Sequence, residues 1–221
     1  ILPWQHKEIE VISMSQVISV FLFVLSLIVI LKPCESSAYG KPEVCRKLEC
    51  APYKVVKTMK EFEIRTYKAS NWIATYPIRS SSYLNAINKG FQTLYGYIEG
   101  NNYEKKKVSM TAPVMVDVHS TKEASFVVYL YLPREYQSNP PLSKDAQLAK
   151  LPKHRYAAVR RFGGFMNDTN IEFHALQLKR ALEAYAQISY DSEMVYTVAA
   201  YDGPDVVRNR VNEVIIWFDM M

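Results

Sequence analysis

Histidines are the side chains that most readily act as bases or metal ligands near neutral pH, and here all four are far apart in the sequence. They lie near the start of the chain, at the end of an apolar run, among basic residues and beside a helical apolar face, in the order His6, His119, His154 and His174. The chain has no Gly-x-Ser-x-Gly turn, His-Glu-x-x-His helix or phosphate-binding glycine loop, and Gly163-Gly164 by itself indicates a turn. We therefore predict no catalytic residues, no metal site and no enzyme.

A binding surface is better supported, on the first of two helical segments. Asn88, Phe91 and Tyr95 follow one another at spacings of three and four residues, so they share one side of a helix. The residues alone favour the simpler interpretation, in which Phe91 and Tyr95 widen the buried face of the helix. The other interpretation is an aromatic stripe that binds a ligand.

Both helical segments repeat apolar residues every three or four positions. The first has serines at 80–82 as N-caps, ends at Gly100, and buries Leu84, Ile87, Phe91, Leu94 and Ile98. The second has the capping-box pattern Thr-Asn-Ile-Glu at 169–172, followed by an apolar face of Ile171, Ala175, Leu178, Leu182 and Tyr185. Each helix has a single apolar face, which must pack against a sheet.

Short alternating apolar runs predict the strands. They cover 53–56, 61–67, 72–77, 108–119, 125–132, 155–162, 194–201 and 212–218. The segment 133–152 has several prolines and shows neither the alternation of a strand nor the three-to-four-residue spacing of a helix. It is therefore predicted to be a connection without strand or helix. The order strand, helix, strand, strand occurs twice, so we predict an α+β fold with a pseudo-twofold repeat of β-α-β-β units.

The N-terminal region is typical of a signal peptide. An apolar run at 17–31 is followed by small residues up to Ala38, and it is shorter than the roughly 20 residues that cross a bilayer. We expect translation to begin at Met14, residues 1–38 to be upstream residues and a cleavable signal peptide, and residues 39–50 to form a short segment before one domain at 51–218. The mature chain would enter the secretory pathway, for the extracellular space or an endomembrane lumen. The alternative is a membrane-anchored protein with an uncleaved segment, since the leader would lack Lys and Arg at its start.

Cysteine content agrees with export. Cys34 lies in the leader, which leaves Cys45 and Cys50 as an even pair that predicts a disulfide. Half of a metal site is the competing interpretation, but the mature chain has no other cysteine and no histidine near the pair. Asn167 begins an Asn-Asp-Thr sequon and is a candidate glycosylation site.

Charge excludes one class of partner. The net charge of the 221-residue chain is +5, and its basic residues gather at the ends of elements without interleaved aromatic residues. We therefore predict no nucleic-acid binding.

Two landmarks resemble the SOUL haem-binding family. The first is the segment 90–114, which begins Gly-Phe-Gln-Thr-Leu-Tyr-Gly-Tyr-Ile-Glu-Gly and ends Val-Ser-Met-Thr-Ala-Pro-Val. The second is Tyr-Asp-Gly-Pro at 201–204, followed by Asn-Arg-Val-Asn-Glu-Val at 209–214. The resemblance covers about 51–218 and implies a twisted, barrel-like antiparallel sheet flanked by two long helices.

The resemblance also implies a ligand and its place. In SOUL-type proteins a shallow apolar groove beside the first helix, rimmed by the loop before the last strand, holds a tetrapyrrole. Matched onto this chain, the groove uses Asn88, Phe91 and Tyr95 from the helix and Arg208 and Arg210 from the loop. Aromatic faces suit a flat macrocycle, and arginines suit its propionates.

Two departures bear on how haem would be held. Some members have a histidine between Arg and Tyr in an early strand, where this chain has Arg65-Thr66-Tyr67. Val211 stands where relatives often have a second arginine. The ligand is therefore weakly bound haem, a metal-free porphyrin or another flat amphiphile, held non-covalently, with the hydroxyl of Tyr95 as the remaining candidate for an axial ligand.

We predict a monomeric carrier or buffer for a tetrapyrrole, without stable membrane association once the leader is removed. One alternative is a module that binds another small amphiphile or a protein partner, with incidental haem affinity. The other is an enzyme acting on a tetrapyrrole, which would need a titratable pair facing the groove.

Overall fold

The computed structural model describes residues 39–119, 124–185, 188–189 and 194–220. The predicted leader, with its cleavage point after Ala38, and with His6 and Cys34, lies outside the described residues. Within those ranges, no helix combines the length and the apolar composition needed to cross a membrane.

The described residues form two α-helices, α1 (Tyr83–Ile98) and α2 (Asp168–Tyr185), and short 3-10 turns at Glu43–Arg46 and Arg134–Tyr136. The strands are β1 (Glu49–Cys50), β2 (Tyr53–Thr58), β3 (Glu63–Tyr67), β4 (Ser70–Ala74), β5 (Ile78–Arg79), β6 (Thr111–Ala112), β7 (Val114–His119), β8 (Ser125–Tyr131), β9 (Gln147–Leu151), β10 (Tyr156–Phe162), β11 (Ile188–Ser189), β12 (Met194–Ala200) and β13 (Asn212–Met220). These elements confirm the predicted α+β class.

Nine of these strands form one curled antiparallel sheet in the order β2-β3-β10-β13-β12-β7-β8-β4-β9. Strands β7 and β12 pair at its centre, with Val116 opposite Val198. On one side follow β8 and β4, and on the other β13 and β10, so each side holds the strands of one β-α-β-β unit. The pseudo-twofold repeat itself stays a prediction.

Both helices pack on one face of the sheet, and α1 buries Leu94 and Ile98 as predicted, but its buried side is shifted from the one expected. The prediction placed Leu84, Ile87 and Phe91 in the core, whereas Leu84 is 39% exposed and the other two are only half-buried. The residues that α1 buries are Tyr83, Ala86, Gly90, Leu94, Tyr97 and Ile98. The helix is rotated because Gly90 sits directly on β8, where an added Cβ would lie 2.3 Å from a methyl carbon of Val128.

The helix N-termini also differ from the prediction. Ser82 is the N-cap residue of α1, but its side chain does not cap the helix; Asp168, the first residue of α2, accepts hydrogen bonds from the Tyr83 amide at 2.6 Å and the Ser82 hydroxyl at 3.0 Å. In α2 the reciprocal capping bonds join Asn167 and Asn170, two residues before the predicted box at 169–172. The carboxylate of Asp168, which is distant in the sequence, therefore caps α1 in place of the local serines.

The segment 133–152 is more regular than its sequence indicates. It contains the Arg134–Tyr136 turn and β9, which pairs with β4 from Gln147 opposite Ala74 to Leu151 opposite Ser70. Strand β9 lies at the edge of the sheet and its side chains are exposed or half-buried, so they need no apolar alternation. The expectation of a connection without strands was therefore wrong.

The sheet's other face is covered by the N-terminal segment 39–52. The core on this face combines alanines, among them Ala74 and Ala157, with large aromatic residues such as Trp72 and Trp217. Cys45 and Cys50 are joined in a disulfide with their Cα atoms 5.5 Å apart, and β1 pairs in parallel with β6. The predicted disulfide thus fixes this segment beside the face that the helices leave free.

Candidate binding site

The predicted stripe on α1 lies beside the buried face and remains open to solvent. Asn88 is exposed, Phe91 is half-buried and Tyr95 is 50% exposed. The rings of Phe91 and Tyr95 lie 5.9 Å apart, centre to centre, at an angle of 34°. The structure therefore brings these three residues together and leaves an aromatic pair accessible to a flat ligand.

The two predicted arginines differ from each other. Arg208 is exposed, whereas Arg210 is 8% exposed and donates to three backbone carbonyls of its own loop. Its Nη1 donates to Gly203 and Val206, both at 2.6 Å, and its Nη2 donates to Asp202 at 3.0 Å. Arg210 therefore holds the loop together, and its role as a propionate donor stays a prediction.

No hydrogen bond, ion pair or ring contact among the described residues joins the α1 stripe to Arg208 or Arg210. Arg210 instead lies over the ring of Phe165, 4.6 Å from its centre. The grouping of helix and loop into one groove rests on the family resemblance.

The three described histidines lie in separate places. His119 ends β7, His154 contacts Asp219 with its Nδ1 at 3.0 Å, and His174 stacks on Phe162 at 4.3 Å. Burial and the nearby charge of Arg160 lower the pKa of His174. The part of the chain that the structure describes contains no group of three or more potential metal ligands, and His6 lies outside it.

The sequence analysis missed a buried cluster of charges on the face away from the helices. Arg65 has no exposed surface; its Nε donates to Glu63 at 2.8 Å, and its two terminal nitrogens donate to Glu213 at 2.9 and 3.0 Å. Arg161 donates to the same Glu213 carboxylate at 2.8 Å. Burial raises the pKa of Glu213, but the two arginines outweigh it, so the net pKa lies below its usual value.

Tyrosines surround this cluster. The hydroxyl of Tyr201 donates to Glu213 at 3.1 Å, and the ring of Tyr53 lies 4.1 Å from the Arg65 guanidinium carbon. Burial raises the pKa of Tyr53, Tyr67 and Tyr201, so all three stay neutral. Thr66, which stands where some relatives have a histidine, lies between two residues of this cluster, Arg65 and Tyr67.

The cluster has a sequence pattern that could have revealed it. Glu63, Arg65 and Tyr67 alternate along β3, which places all three polar side chains on one face of the sheet. An alternation of charged residues inside an apolar strand indicates a buried ion pair when another strand of the sheet carries the opposite charge. Glu213, near the start of β13, supplies that charge from two strands away.

A second polar network lies on the same face. The Thr197 hydroxyl donates to Asp117 and accepts from the Trp217 ring nitrogen at 2.8 Å. Burial raises the pKa of Asp117, which the donated hydrogen bonds of Thr197 and Tyr129 partly offset. Both polar networks therefore lie on the face of the sheet away from the helices, whereas the α1 stripe lies on the helical face.

The chain is an α+β protein. Its architecture is a single curled antiparallel sheet with two helices on one face. The profile of the SOUL heme-binding protein family matches residues 48–217. The chain therefore belongs to the SOUL heme-binding protein family.

Two named relatives support this assignment. Heme-binding protein 2 of Homo sapiens is 32% identical over 158 residues, which cover 69% of this chain and 76% of the relative. Heme-binding protein 1 of Xenopus laevis is 28% identical over 162 residues, which cover 71% of this chain and 82% of the relative.

Solved structures share the fold at much lower sequence identity. The C-terminal domain of EcmrR is 8% identical with a TM-score of 0.55, over 73% of this chain and 98% of that one. A hydrolase from Listeria innocua is 9% identical with a TM-score of 0.50, over 72% of this chain and 92% of that one. At these identities the likeness concerns the fold alone.

Proposed function

We propose that this protein binds a tetrapyrrole non-covalently on the α1 stripe and carries or buffers it without chemical change. The observation that carries the proposal is the family match over residues 48–217, in a chain whose relatives are named as heme-binding proteins. Haem and a metal-free porphyrin are both candidate ligands.

The geometry of the stripe supports this function. Phe91 and Tyr95 offer two ring faces at an angle of 34°, and Leu84 continues the apolar surface toward the start of the helix. A flat macrocycle gains dispersion and apolar burial against such faces. In the loop, the exposed Arg208 is the side chain that is accessible to a propionate. The Arg210 guanidinium already donates hydrogen bonds that hold the loop together.

The proposal does not rely on a histidine bound to iron. No histidine of the described part of the chain belongs to the stripe, and Tyr95 is the side chain there that offers a hydroxyl oxygen. We therefore propose that the macrocycle contributes most of the affinity and the iron little, so that haem and metal-free porphyrin bind similarly.

The proposal also states that the protein is a monomer and names its compartment. A disulfide between Cys45 and Cys50 suits an oxidising compartment, and the exposed Asn167 is open to a glycosylating enzyme. We propose a protein of the secretory pathway, released outside the cell or into an endomembrane lumen.

Recovery of the protein from its native tissue tests the function directly. We expect a tetrapyrrole to co-purify, and added haem or protoporphyrin IX to saturate the emptied protein at one ligand per chain. Absence of any bound tetrapyrrole, together with no saturable binding, would contradict the proposal and favour a module for another amphiphile or a protein partner.

A further inference from the structure

A cleft of about 1260 Å³ lies on the side of the sheet that the helices leave free. One wall is the disulfide-bearing segment, and the opposite wall comes from the ends of β3, β4, β8 and β9. The volume exceeds the roughly 300–1,000 Å³ of most small-molecule sites, so the cleft has room for a small molecule. The α1 stripe has no part in its lining.

The cleft has an aromatic lining. Tyr39, Tyr53 and Tyr131 contribute to its walls. The positions of two of these rings are fixed by neighbours, since Tyr53 lies on the buried Arg65 at 4.1 Å and Tyr131 meets Trp72 edge-on at 5.3 Å. Burial raises the pKa of each of the three tyrosines, so they are neutral. Tyr131 is only 5% exposed, whereas Tyr39 and Tyr53 are half-buried, so these two are the uncharged rings that an aromatic ligand can reach.

The rim of the cleft is positively charged. Its lining carries one carboxylate, Glu49, and four cations, Lys41, Lys68, Arg134 and Lys150. Glu49 already accepts two hydrogen bonds from the Arg134 amide, at 3.1 and 3.2 Å. Among the described residues no ion pair neutralises the four cationic side chains. A concave surface focuses such a field and attracts an anion.

We propose that this cleft is a second ligand site, which binds a flat aromatic anion with its ring against the tyrosines and its acidic group at the lysine rim. The proposal goes beyond the binding of a tetrapyrrole on α1, because it names another site and needs no macrocycle. The disulfide serves it by holding one wall in place, since Cys45 and Cys50 both line the cleft.

Two probes with the same ring and opposite charge provide the test, 1-pyrenesulfonate and (1-pyrenylmethyl)trimethylammonium. Pyrene fluorescence gives the affinity of each for the full protein. We expect the sulfonate to bind at least about tenfold more tightly than the ammonium, and Lys68→Glu/Lys150→Glu to abolish or reverse that preference. The matched control is Lys60→Glu/Lys144→Glu, which makes the same charge change at exposed positions outside the cleft. We expect the control to keep the preference.

Several results would overturn the proposal. These are equal affinities for the two probes, the same loss in both double variants, or a sulfonate affinity that falls with Tyr95→Ala but not with Lys68→Glu/Lys150→Glu. The last result would place the probe on α1. None of them involves a porphyrin, so failure of this proposal is distinguishable from failure of the proposed tetrapyrrole binding.

Discussion

Arg65 and Glu213 form an ion pair through two hydrogen bonds, and neither side chain has any exposed surface. The residues lie in β3 and β13, which are not neighbours, because β10 runs between them. Along β10, Ala157 stands opposite Arg65 and Arg161 stands opposite Glu213, so the ion pair crosses β10 diagonally. Arg161 of β10 donates to the same carboxylate, so the three charged side chains link β3, β10 and β13.

Breaking this pair should strongly destabilise the fold. Glu213→Gln leaves Arg65 and Arg161 without the carboxylate that both of them bind, and removal of one buried partner typically costs about 3–5 kcal/mol. We expect a loss of this size in the free energy of unfolding, measured by urea denaturation. The control is Glu61→Gln, because Glu61 is half exposed and pairs with Arg160 at 3.3 Å, so its loss should cost less than about 1 kcal/mol. Equal losses in the two variants would contradict the structural role of the buried pair.

The same carboxylate should govern acid unfolding. The pKa of Glu213 is lower in the folded protein than in the unfolded chain, so its contribution to stability is complete above about pH 4.3, the unperturbed glutamate value. That contribution is lost as the pH falls through the lower native pKa. We expect wild type to lose stability more steeply than Glu213→Gln as the pH falls below about 4.3. Parallel curves for the two proteins would show that Glu213 is not responsible.

The sequence supports the fold class, the helices and most strands, because each depends on a local periodicity. Edge strand β9 has no such periodicity, since solvent covers most of its side chains. The N-terminal cap of α1 could not be predicted from the sequence either, because Asp168 lies 85 residues from the amide that it caps. The rotation of α1 follows from the close contact between Gly90 and Val128, which a count of apolar residues does not reveal.

Part of the candidate site could likewise be predicted from the sequence, and part could not. The helical spacing of Asn88, Phe91 and Tyr95 places them on one side of α1, as predicted. The hydrogen bonds of Arg210 within its own loop depend on how that loop folds, and no residue pattern predicts them. The cleft depends on four stretches of the chain, 39–53, 68–71, 131–137 and Lys150, that meet only in the folded protein.

Gly90 should be intolerant of a side chain. Its added Cβ would lie 2.3 Å from Val128, so Gly90→Ala should force α1 away from the sheet and lower stability. Gly96 lies in the same helix with its nearest neighbour at 4.0 Å, so Gly96→Ala is the matched control. We expect the control to be neutral or to gain up to about 1 kcal/mol, because alanine favours a helix more than glycine does. Thermal unfolding of both variants checks the rotation of α1, and a stable Gly90→Ala protein would refute it.

The mature protein should begin at Tyr39. Small residues at 36 and 38 suit a signal peptidase, and the Tyr39 nitrogen donates to the buried carboxylate of Glu63. Cleavage after Ala38 would turn this hydrogen bond into an ion pair with the new terminal ammonium. N-terminal sequencing of the native protein checks the position, and recovery of an intact 17–31 segment in membranes would show an anchor instead.

Porphyrin titration of single variants tests the central claim, that the ligand binds on α1 without a histidine. Burial of an aromatic ring by the ligand is worth roughly 1.5–3 kcal/mol, so Phe91→Ala or Tyr95→Ala should weaken haem and protoporphyrin IX binding by about tenfold or more. His119→Ala and His174→Ala should leave both affinities nearly unchanged. Circular dichroism must show that each variant is folded, because Phe91 also contacts the core. A well-folded histidine variant that loses haem binding, beside a Tyr95→Ala protein that keeps it, would contradict the account and indicate an axial histidine.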